Sequence, residues 1–388
     1  MATSSFRVEM EAGSVLFQQG DAPTSAFLLE QGEIEVTTRH AGENRRLGLL
    51  RAGDLLGEMA VIDDSPRTAT ATALTDCVLM PIDRAQFAER LEVADPVVRA
   101  LLLSQLTRYR SALAQLSGQR EPVPSQGQRD ARAQDAAVAL DKIRLERELR
   151  EALELGGLEV RLQPIFDIGA ARVAGFEALT RWTHPERGPV SPADFIKLAE
   201  ETSLIVPVGD YVLMEVCRML ARLGGDDGPF VALNVSGRQL DDPGLLGRFH
   251  AALDATGVAP HRLKVEITES LVLDYVRVAD VIARCHAAGM KVALDDFGTG
   301  YSNLGHLHKL EFDTVKLDQG FIRQMDDPRC YAIVRAVVGM ADALDCDIVA
   351  EGVETAAQLQ QLRELGCRYA QGWLIGKPLP FDEALALL

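Results

Sequence analysis

From residue 158 onward the sequence alternates strand-like and helical runs, and this alternation limits the possible folds more than any other feature. Eight short apolar runs rich in β-forming residues are separated by stretches with helical periodicity. The segment from residue 143 to 388 is close to the ~250 residues typical of a (β/α)8 barrel. We therefore predict a TIM-like α/β barrel. Its predicted strands are 158–163, 173–179, 230–235, 263–267, 291–294, 314–317, 347–350 and 369–374.

Polar side chains lie at the strand ends, where the functional residues of such barrels lie. Most are carboxylates, which cannot all stay ionised together unless cations accompany them. Carboxylate and amide oxygens suit Mg²⁺ or Mn²⁺ rather than zinc. Two such ions can hold a phosphodiester, with Lys316 stabilising phosphoryl charge and Glu351 acting as general base. The candidate residues are Glu177, Asn234, Glu266, Asp295, Asp296, Lys316, Asp318, Glu351, Glu354 and Gln371.

Eight motifs occur in order through this segment, and together they are highly specific. The chain from about residue 145 to 388 resembles the EAL phosphodiesterase domain over that domain's full length. The motifs are QPI (163–165), EALTRW (177–182), LNVS (233–236), EITE (266–269), LDDFGTGYS (294–302), VKLD (315–318), AEGVET (350–355) and QGWLIGKP (371–378).

The resemblance implies metal-dependent hydrolysis of cyclic di-GMP to linear pGpG, with two Mg²⁺ or Mn²⁺ ions in each site. It assigns the first ion to Glu177, Asn234, Glu266 and Asp295, and the second to Asp295 and Asp296 with Glu354 nearby. It makes Glu351, Lys316, Glu177 and Gln371 catalytic. It also makes Glu269 the anchor of loop 296–304, which in the family joins active-site formation to dimerisation. The residues implied to bind cyclic di-GMP are Gln163, Leu179, Arg181, Asp318, Gly352, Gln371 and Pro378.

Every catalytic position of the motif set is filled, and the departures are Leu162, Trp373 and Asn303, none of them an implied metal ligand. No GGDEF-type cyclase signature is present, so synthesis of cyclic di-GMP is not expected. The alternative reading is a non-catalytic receptor or scaffold that binds cyclic di-GMP and passes the signal to a partner.

The N-terminal part, residues 6–117, predicts a β jelly roll followed by a long helix, because short strands alternate with glycine-containing turns. Within it, Gly57 allows close backbone approach, Glu58 can accept a ribose hydroxyl, and Arg67 can fork onto a cyclic phosphate. This part resembles the cyclic-nucleotide-binding domain of catabolite-activator-like regulators, which implies cAMP or cGMP as ligand. The implied contacts are Gly57, Glu58, Met59, Ala60, Arg67, Thr68 and Ala69, with Thr107 or Ser111 reaching the base. The alternative is a sensor that binds nothing and serves as a dimerisation module.

A helix is expected to begin at Asp95-Pro96 and to run to Leu116. Its apolar side chains follow an a/d spacing that favours a dimeric coiled coil, with Arg108 and Arg110 beside the seam, although packing on its own domain stays open. The seam residues are Leu102, Leu106, Tyr109, Leu113 and Leu116.

Residues 117–129 form the clearest linker, and a second helix is predicted for 133–155. The predicted domains are therefore a sensor (1–117), a linker with a connecting helix (118–142) and an EAL domain (143–388).

A formal net charge of −17 argues against binding to DNA or to an anionic membrane surface. Because no apolar run is long enough to span a membrane or has the flanks of a secretory signal, we expect a cytoplasmic protein. The interpretation as a whole is a homodimeric cyclic di-GMP phosphodiesterase under allosteric control by cAMP or cGMP.

Overall fold

The computed structural model describes residues 7–40, 43–63, 65–85, 89, 91, 93–117, 126–298 and 309–388. The chain divides into two compact units, Met1–Leu145 and Glu146–Leu388. The predicted loop 296–304 lies partly outside the described residues, as does most of the predicted linker.

The first unit contains two four-stranded antiparallel sheets, in the orders β1-β8-β3-β6 and β2-β7-β4-β5. Apolar side chains of both sheets, including Leu29, Ile34 and Leu79, form a shared core. The predicted jelly roll is confirmed. The strands are β1 (Val8–Met10), β2 (Val15–Phe17), β3 (Ser25–Gln31), β4 (Glu33–His40), β5 (Glu43–Arg51), β6 (Leu55–Leu56), β7 (Thr70–Ala73) and β8 (Cys77–Asp83).

Helix α1 (Glu58–Asp63) follows β6, and helix α2 (Pro96–Ser117) begins where the Asp95-Pro96 signal predicts. The Asp95 side chain caps α2 by accepting a hydrogen bond from the backbone N–H of Val97 at 2.8 Å.

The predicted seam of α2 does not form a single exposed stripe. Leu106 is buried against its own unit, whereas Leu102 and Tyr109 are exposed. Of the two arginines beside the seam, Arg108 is exposed and Arg110 is partly buried, with its guanidinium donating to the carbonyl oxygen of Met59 at 3.2 Å.

Helix α3 (Gln126–Leu155) begins seven residues before the predicted start at 133, and it crosses the division between the units. In the first unit it is tied to α2 by ion pairs from Arg99 to Asp135 and from Lys142 to Asp95. The last part of the predicted linker, residues 126–129, is therefore helical.

The second unit is a closed barrel in which all eight predicted strands are present. The hairpin strand β11 pairs outside the ring with β10. The strands are β9 (Leu158–Asp167), β10 (Arg172–His184), β11 (Gly188–Val190), β12 (Phe230–Asn234), β13 (Leu263–Thr268), β14 (Lys291–Phe297), β15 (Thr314–Leu317), β16 (Asp347–Ala350) and β17 (Tyr369–Gln371).

Strand β9 runs antiparallel to both of its neighbours, β10 and β17, so the barrel departs from the all-parallel (β/α)8 arrangement. Only residues 168–171 join β9 to β10, and a parallel crossover needs a dozen residues or more. The resulting hairpin places Gln163 opposite Glu177.

Helices cover the barrel, and Leu149 of α3 is buried within the second unit. Among the described residues, none of the helices combines the length and apolarity needed to cross a lipid bilayer. The helices are α4 (Pro192–Glu201), α5 (Ile205–Arg222), α6 (Gly237–Leu240), α7 (Leu245–Thr256), α8 (Tyr275–Ala287), α9 (Gln319–Arg323), α10 (Pro328–Ala343), α11 (Ala356–Glu364) and α12 (Phe381–Leu385), with 3-10 turns at Pro260–Arg262 and Glu269–Leu273.

Candidate active site and sensor cassette

Lys316, on the sixth strand of the barrel (β15), is the centre of a buried carboxylate cluster. Its ammonium lies 3.3 Å from a carboxylate oxygen of Glu177 and 3.0 Å from one of Glu266. It also lies 3.0 Å from Asp295 and 2.9 Å from Glu351. The Lys316 side chain is only 1% exposed, so these ion pairs are shielded from water. Four different strands or strand ends therefore bring their carboxylates to one cation.

Two amides fix the position of the Glu177 carboxylate. Asn234 donates to its Oε1 at 2.9 Å, and Gln371 donates to its Oε2 at 2.7 Å. The remaining side-chain oxygen of Gln371 is buried and accepts no hydrogen bond within the described part of the chain. A buried acceptor of this kind indicates a place for a water or ligand group.

The cluster perturbs the protonation of its members. Burial raises the pKa of Glu266 well above its ordinary value and raises the pKa of Glu351 to about 7, although Lys316 opposes both shifts. Burial also disfavours the ionised form of Glu177, but Lys316 and the amides of Gln371 and Asn234 outweigh it and lower the pKa of Glu177. The four carboxylates raise the pKa of Lys316 against the effect of burial, so its ammonium stays charged.

Two groups of carboxylates are close enough to share a cation. Oxygens of Glu177, Glu266 and Asp295 all lie within 4.8 Å of one another, as do those of Asp295, Asp296 and Glu351. Asp295 belongs to both groups, and Asp296 reaches its place with a left-handed backbone (φ 58°). The two groups together contain five carboxylates, and oxygen donors of this kind fit Mg²⁺ or Mn²⁺.

Glu354 lies outside both groups. Its exposed carboxylate is 3.4 Å from the guanidinium of Arg323, and its backbone N–H donates to Gln358 at the start of α11. Glu354 is only three residues after Glu351 in the sequence, but it lies just before the N-cap of α11, Thr355.

The residues expected to bind substrate surround the mouth of the barrel. Gln163 donates to the carbonyl oxygen of Gly376 at 3.2 Å, and Arg181 is half-buried with a hydrogen bond to the carbonyl oxygen of Thr180. Asp318 caps α9 by accepting from the N–H of Gly320 at 2.8 Å.

Gly352 adopts φ 70°, and a Cβ there would lie 2.5 Å from Gln319. Pro378 is half-buried beyond β17.

Beside the carboxylates lies a largely apolar cavity between β10, β12 and the helices α4 to α7. Leu179, Arg181 and Asn234 line its mouth, and it also contains Asp210, which sequence analysis did not identify. Asp210 pairs with Arg248 at 2.6 Å, yet burial raises the pKa of Asp210. No motif marks Asp210, and only the packing of α5 against the strands brings it there.

Glu269 contacts the first residues of the loop 296–304: its Oε2 accepts a hydrogen bond from the backbone N–H of Gly298 at 2.7 Å. The anchored segment continues into residues 299–308, which lie outside the described part of the chain.

Arg67 organises the cassette in the first unit. This side chain is buried, and it donates to the carbonyl oxygens of Gly57, at 2.6 Å, and Ser25. Gly57 has φ 74°, and a Cβ there would lie 2.4 Å from the guanidinium. Burial raises the pKa of Glu58, against the influence of Arg67 and Arg110.

Two cavities meet at this cassette and share Arg67, Thr68 and Leu113. Residues Gly57, Glu58, Met59, Ala60 and Ala69 line the first of them, as predicted for the cassette. Thr107 and Ser111 line neither, and the Thr107 hydroxyl donates instead to the carbonyl oxygen of Leu103 at 2.9 Å.

Two family models match the chain, the EAL domain over residues 146–378 and the cyclic nucleotide-binding domain over residues 7–93. The chain belongs to the EAL domain family. The cyclic di-GMP phosphodiesterase PdeR of Escherichia coli (strain K12) is 40% identical to it over 240 residues, covering 61% of this chain and 36% of that protein. The chain spans about a third of the length of the curated relatives it matches.

Solved structures similar to this EAL protein include the EAL enzyme Bd1971 in its cAMP-bound form. The two are 29% identical with a TM-score of 0.82, over 98% of this chain and 99% of that one. Bd1971 is also known with cGMP, and with cAMP and cyclic di-GMP together. The phosphodiesterase PaMucR in complex with c-di-GMP is 39% identical with a TM-score of 0.60, over 62% of this chain and 99% of that one.

Proposed function

We propose that the EAL domain hydrolyses cyclic di-GMP to linear pGpG with two divalent cations, Mg²⁺ or Mn²⁺, in each site. The observation that carries this proposal is the set of four carboxylates that contact the buried ammonium of Lys316, with Asp296 beside them. Relatives named as cyclic di-GMP phosphodiesterases support the choice of substrate.

Glu177, Asn234, Glu266 and Asp295 would hold one ion, and Asp295 with Asp296 the other. Bound cations supply Lewis-acid polarisation of the phosphoryl group and a more acidic water. Glu351 accepts a proton from the attacking water, since burial brings its pKa to about 7. Lys316 stabilises charge on the phosphoryl oxygens. The water oxygen replaces a ribose 3′ oxygen on phosphorus, which leaves a 5′ phosphate and a free 3′ hydroxyl.

The dinucleotide is held across the barrel mouth in this proposal. Arg181 contacts a phosphate, and Leu179 directs one base into the apolar cavity that contains Asp210. Gln163, on β9, and Pro378, beyond β17, contact the other half of the dinucleotide. Asp318 and Gly352 contact the same half.

Adding Mg²⁺ or Mn²⁺ to the metal-free protein is expected to raise its melting temperature by roughly 5 °C or more at saturation, because cations relieve the repulsion among buried carboxylates. Thermal unfolding followed by circular dichroism measures this. Asp295→Asn removes the carboxylate common to both groups and should lose most of the shift, whereas the exposed control Glu311→Gln should keep it. An unchanged melting temperature in the wild type would contradict the metal assignment.

For the first unit we propose a sensor that binds cAMP or cGMP, with Arg67 on the cyclic phosphate and Glu58 on the ribose. The support is the intact cassette around Arg67 and the related enzyme Bd1971 in its cAMP-bound and cGMP-bound forms. A nucleotide phosphate would offer the Arg67 guanidinium stronger, charge-assisted acceptors than the carbonyl oxygens it now contacts.

Arg67→Gln is expected to weaken binding of cAMP and cGMP about 100-fold or more, since a charged fork on the phosphate is lost. Isothermal titration calorimetry on the full chain measures this. Arg39→Gln is the matched control, because Arg39 is exposed and lines the adjoining cavity. Equal affinity in wild type and Arg67→Gln would contradict the assignment of the phosphate to Arg67.

We further propose that the protein is a homodimer and that nucleotide binding changes the turnover of cyclic di-GMP. The continuous helix α3 joins the sensor to the EAL domain, and exposed apolar residues of α2 such as Leu101 and Leu102 offer a pairing surface. Coupling requires two states with different affinity for the nucleotide. The coupling would be contradicted if saturating cAMP and cGMP changed neither the turnover of cyclic di-GMP nor the mass of the dimer.

A further inference from the structure

Arg161 lies among the residues expected to hold the dinucleotide, although the first motif begins only at Gln163. It pairs with Leu179 across the hairpin of β9 and β10, while Gln163 pairs with the candidate metal ligand Glu177. Because side chains alternate along a strand, Arg161 and Gln163 lie on the same face of the sheet. Leu179 follows Glu177 toward the C-terminal end of β10. Arg161 therefore lies one step above the carboxylates, on the side of the barrel mouth.

A second segment of the chain runs along the other side of Arg161. The backbone of Leu162 exchanges two hydrogen bonds with that of Leu379, at 2.8 and 2.9 Å, so the segment that contains Pro378 lies beside β9. In the proposed binding mode Leu179 contacts one half of the dinucleotide and Pro378 contacts the other. Arg161 is therefore placed between the two halves.

Two guanidinium groups come close together at this point. Arg181 is two residues beyond Leu179 on the same face of β10, diagonally across from Arg161. Burial lowers the pKa of Arg181 and the nearby charge of Arg161 lowers it further, against the opposing effect of Glu177 and Glu159. The Arg161 side chain is 40% exposed and lies 3.1 Å from the Glu159 carboxylate. Two neighbouring positive charges of which one is accessible to solvent favour an anion between them.

Resting on the proposed hydrolysis of cyclic di-GMP, we propose that Arg161 and Arg181 together bind the phosphate that is not cleaved, and that Arg161 thereby helps to select a cyclic dinucleotide over a single phosphodiester. The ring of cyclic di-GMP contains two phosphates, which join its two nucleosides. With the scissile phosphate at the carboxylates, the second phosphate faces the barrel mouth, where the two guanidinium groups lie. Arginine binds phosphate oxygens through paired, charge-assisted hydrogen bonds.

Arg161→Gln is expected to raise KM for cyclic di-GMP roughly tenfold and to leave kcat within about twofold, because the uncleaved phosphate is bound equally in the ground state and in the transition state. Steady-state kinetics in Mn²⁺ on the full chain measures both constants. The companion substrate is bis(p-nitrophenyl) phosphate, which contains one phosphodiester group. Its kcat/KM should stay within about twofold of the wild type in this variant.

Arg172→Gln is the matched control, because Arg172 is exposed at the opposite end of the same hairpin. It should keep the wild-type constants for both substrates.

Glu159→Gln separates phosphate binding from a structural role of the Arg161–Glu159 ion pair. If Arg161 binds phosphate, removal of the competing carboxylate should leave KM for cyclic di-GMP unchanged or lower, whereas a structural ion pair would give both variants the same loss. Because both side chains are at least 40% exposed, the two variants should keep the wild-type melting temperature within about 2 °C.

Three results would overturn the proposal. They are an unchanged KM in Arg161→Gln, an equal loss of activity toward bis(p-nitrophenyl) phosphate, and an equal loss in Glu159→Gln. A wild type that hydrolyses neither substrate would instead contradict the proposed hydrolysis itself. Calorimetric titration of cyclic di-GMP tests the phosphate contact even without turnover, and Arg161→Gln should again lose roughly tenfold in affinity.

Discussion

Replacing Lys316 by methionine is expected to lower the turnover of cyclic di-GMP about 10²–10³-fold, the usual cost of removing one group that stabilises charge in a transition state. The ammonium is 1% exposed and contacts four carboxylates, so no nearby water can replace it. Methionine fills most of the volume of the lysine side chain but lacks the terminal ammonium, its charge and its N–H donors. Single-turnover kinetics with saturating metal measures the effect.

A second buried lysine of the same barrel is the matched control. Lys264 is 4% exposed, but its ammonium donates to Thr314 at 3.0 Å and lies 4.0 Å from the ring centre of Phe230 rather than among the carboxylates. Lys264→Met should therefore change turnover by no more than about threefold. Equal losses in both variants would mean that Lys316 acts through the packing of the barrel and not through charge on the phosphoryl group.

Replacing Glu177 by glutamine is expected to lower turnover about 10³-fold or more, through loss of a metal-binding charge. Both Asn234 and Gln371 donate to Glu177, and glutamine has a single side-chain oxygen, so at least one of the two amides also loses its acceptor. The buried ion pair with Lys316 is lost as well. Steady-state kinetics across a range of Mg²⁺ and Mn²⁺ concentrations measures the effect.

Glu311→Gln is the control for this variant, because Glu311 is exposed and belongs neither to the carboxylate groups nor to the lining of the neighbouring cavity. Its turnover should stay within about twofold of the wild type, as expected for an exposed surface change. Wild-type turnover in Glu177→Gln at every metal concentration would contradict the assignment of Glu177 to the metal site.

Periodicity and motif order were sufficient to predict the barrel and its carboxylates. Glu266, Asp295 and Lys316 each lie near the end of a strand, and Glu177 lies near the end of the stretch of β10 that pairs with β12. Strand ends meet at one face of a closed barrel. Their convergence therefore follows from the strand assignment alone.

Features that depend on how the chain turns between elements were not predictable in the same way. The antiparallel course of β9 follows from the short connection of four residues, 168–171, to β10. The strand prediction did not take the length of this connection into account. Glu354 is close to Glu351 in sequence but belongs to the turn before α11. Asp210 is brought to its cavity only by the packing of α5.

Pairing and packing of the α2 face could not be separated from the sequence, because heptad and helical periods nearly coincide over a short helix. Leu106 and Leu113 fit both a coiled-coil seam and a face packed on the sensor, and the sequence does not distinguish the two. The structure buries Leu106 and places Tyr109, rather than Thr107 or Ser111, among the residues that line the first cavity beside Arg67.

The most direct test is to incubate the full chain with cyclic di-GMP in Mg²⁺ or Mn²⁺, and separately in EDTA, and to identify the products by chromatography. We expect conversion to linear pGpG that requires the metal and is abolished by Glu177→Ala. Binding of cyclic di-GMP without any turnover under these conditions would contradict it, and would identify the protein as a receptor for the dinucleotide.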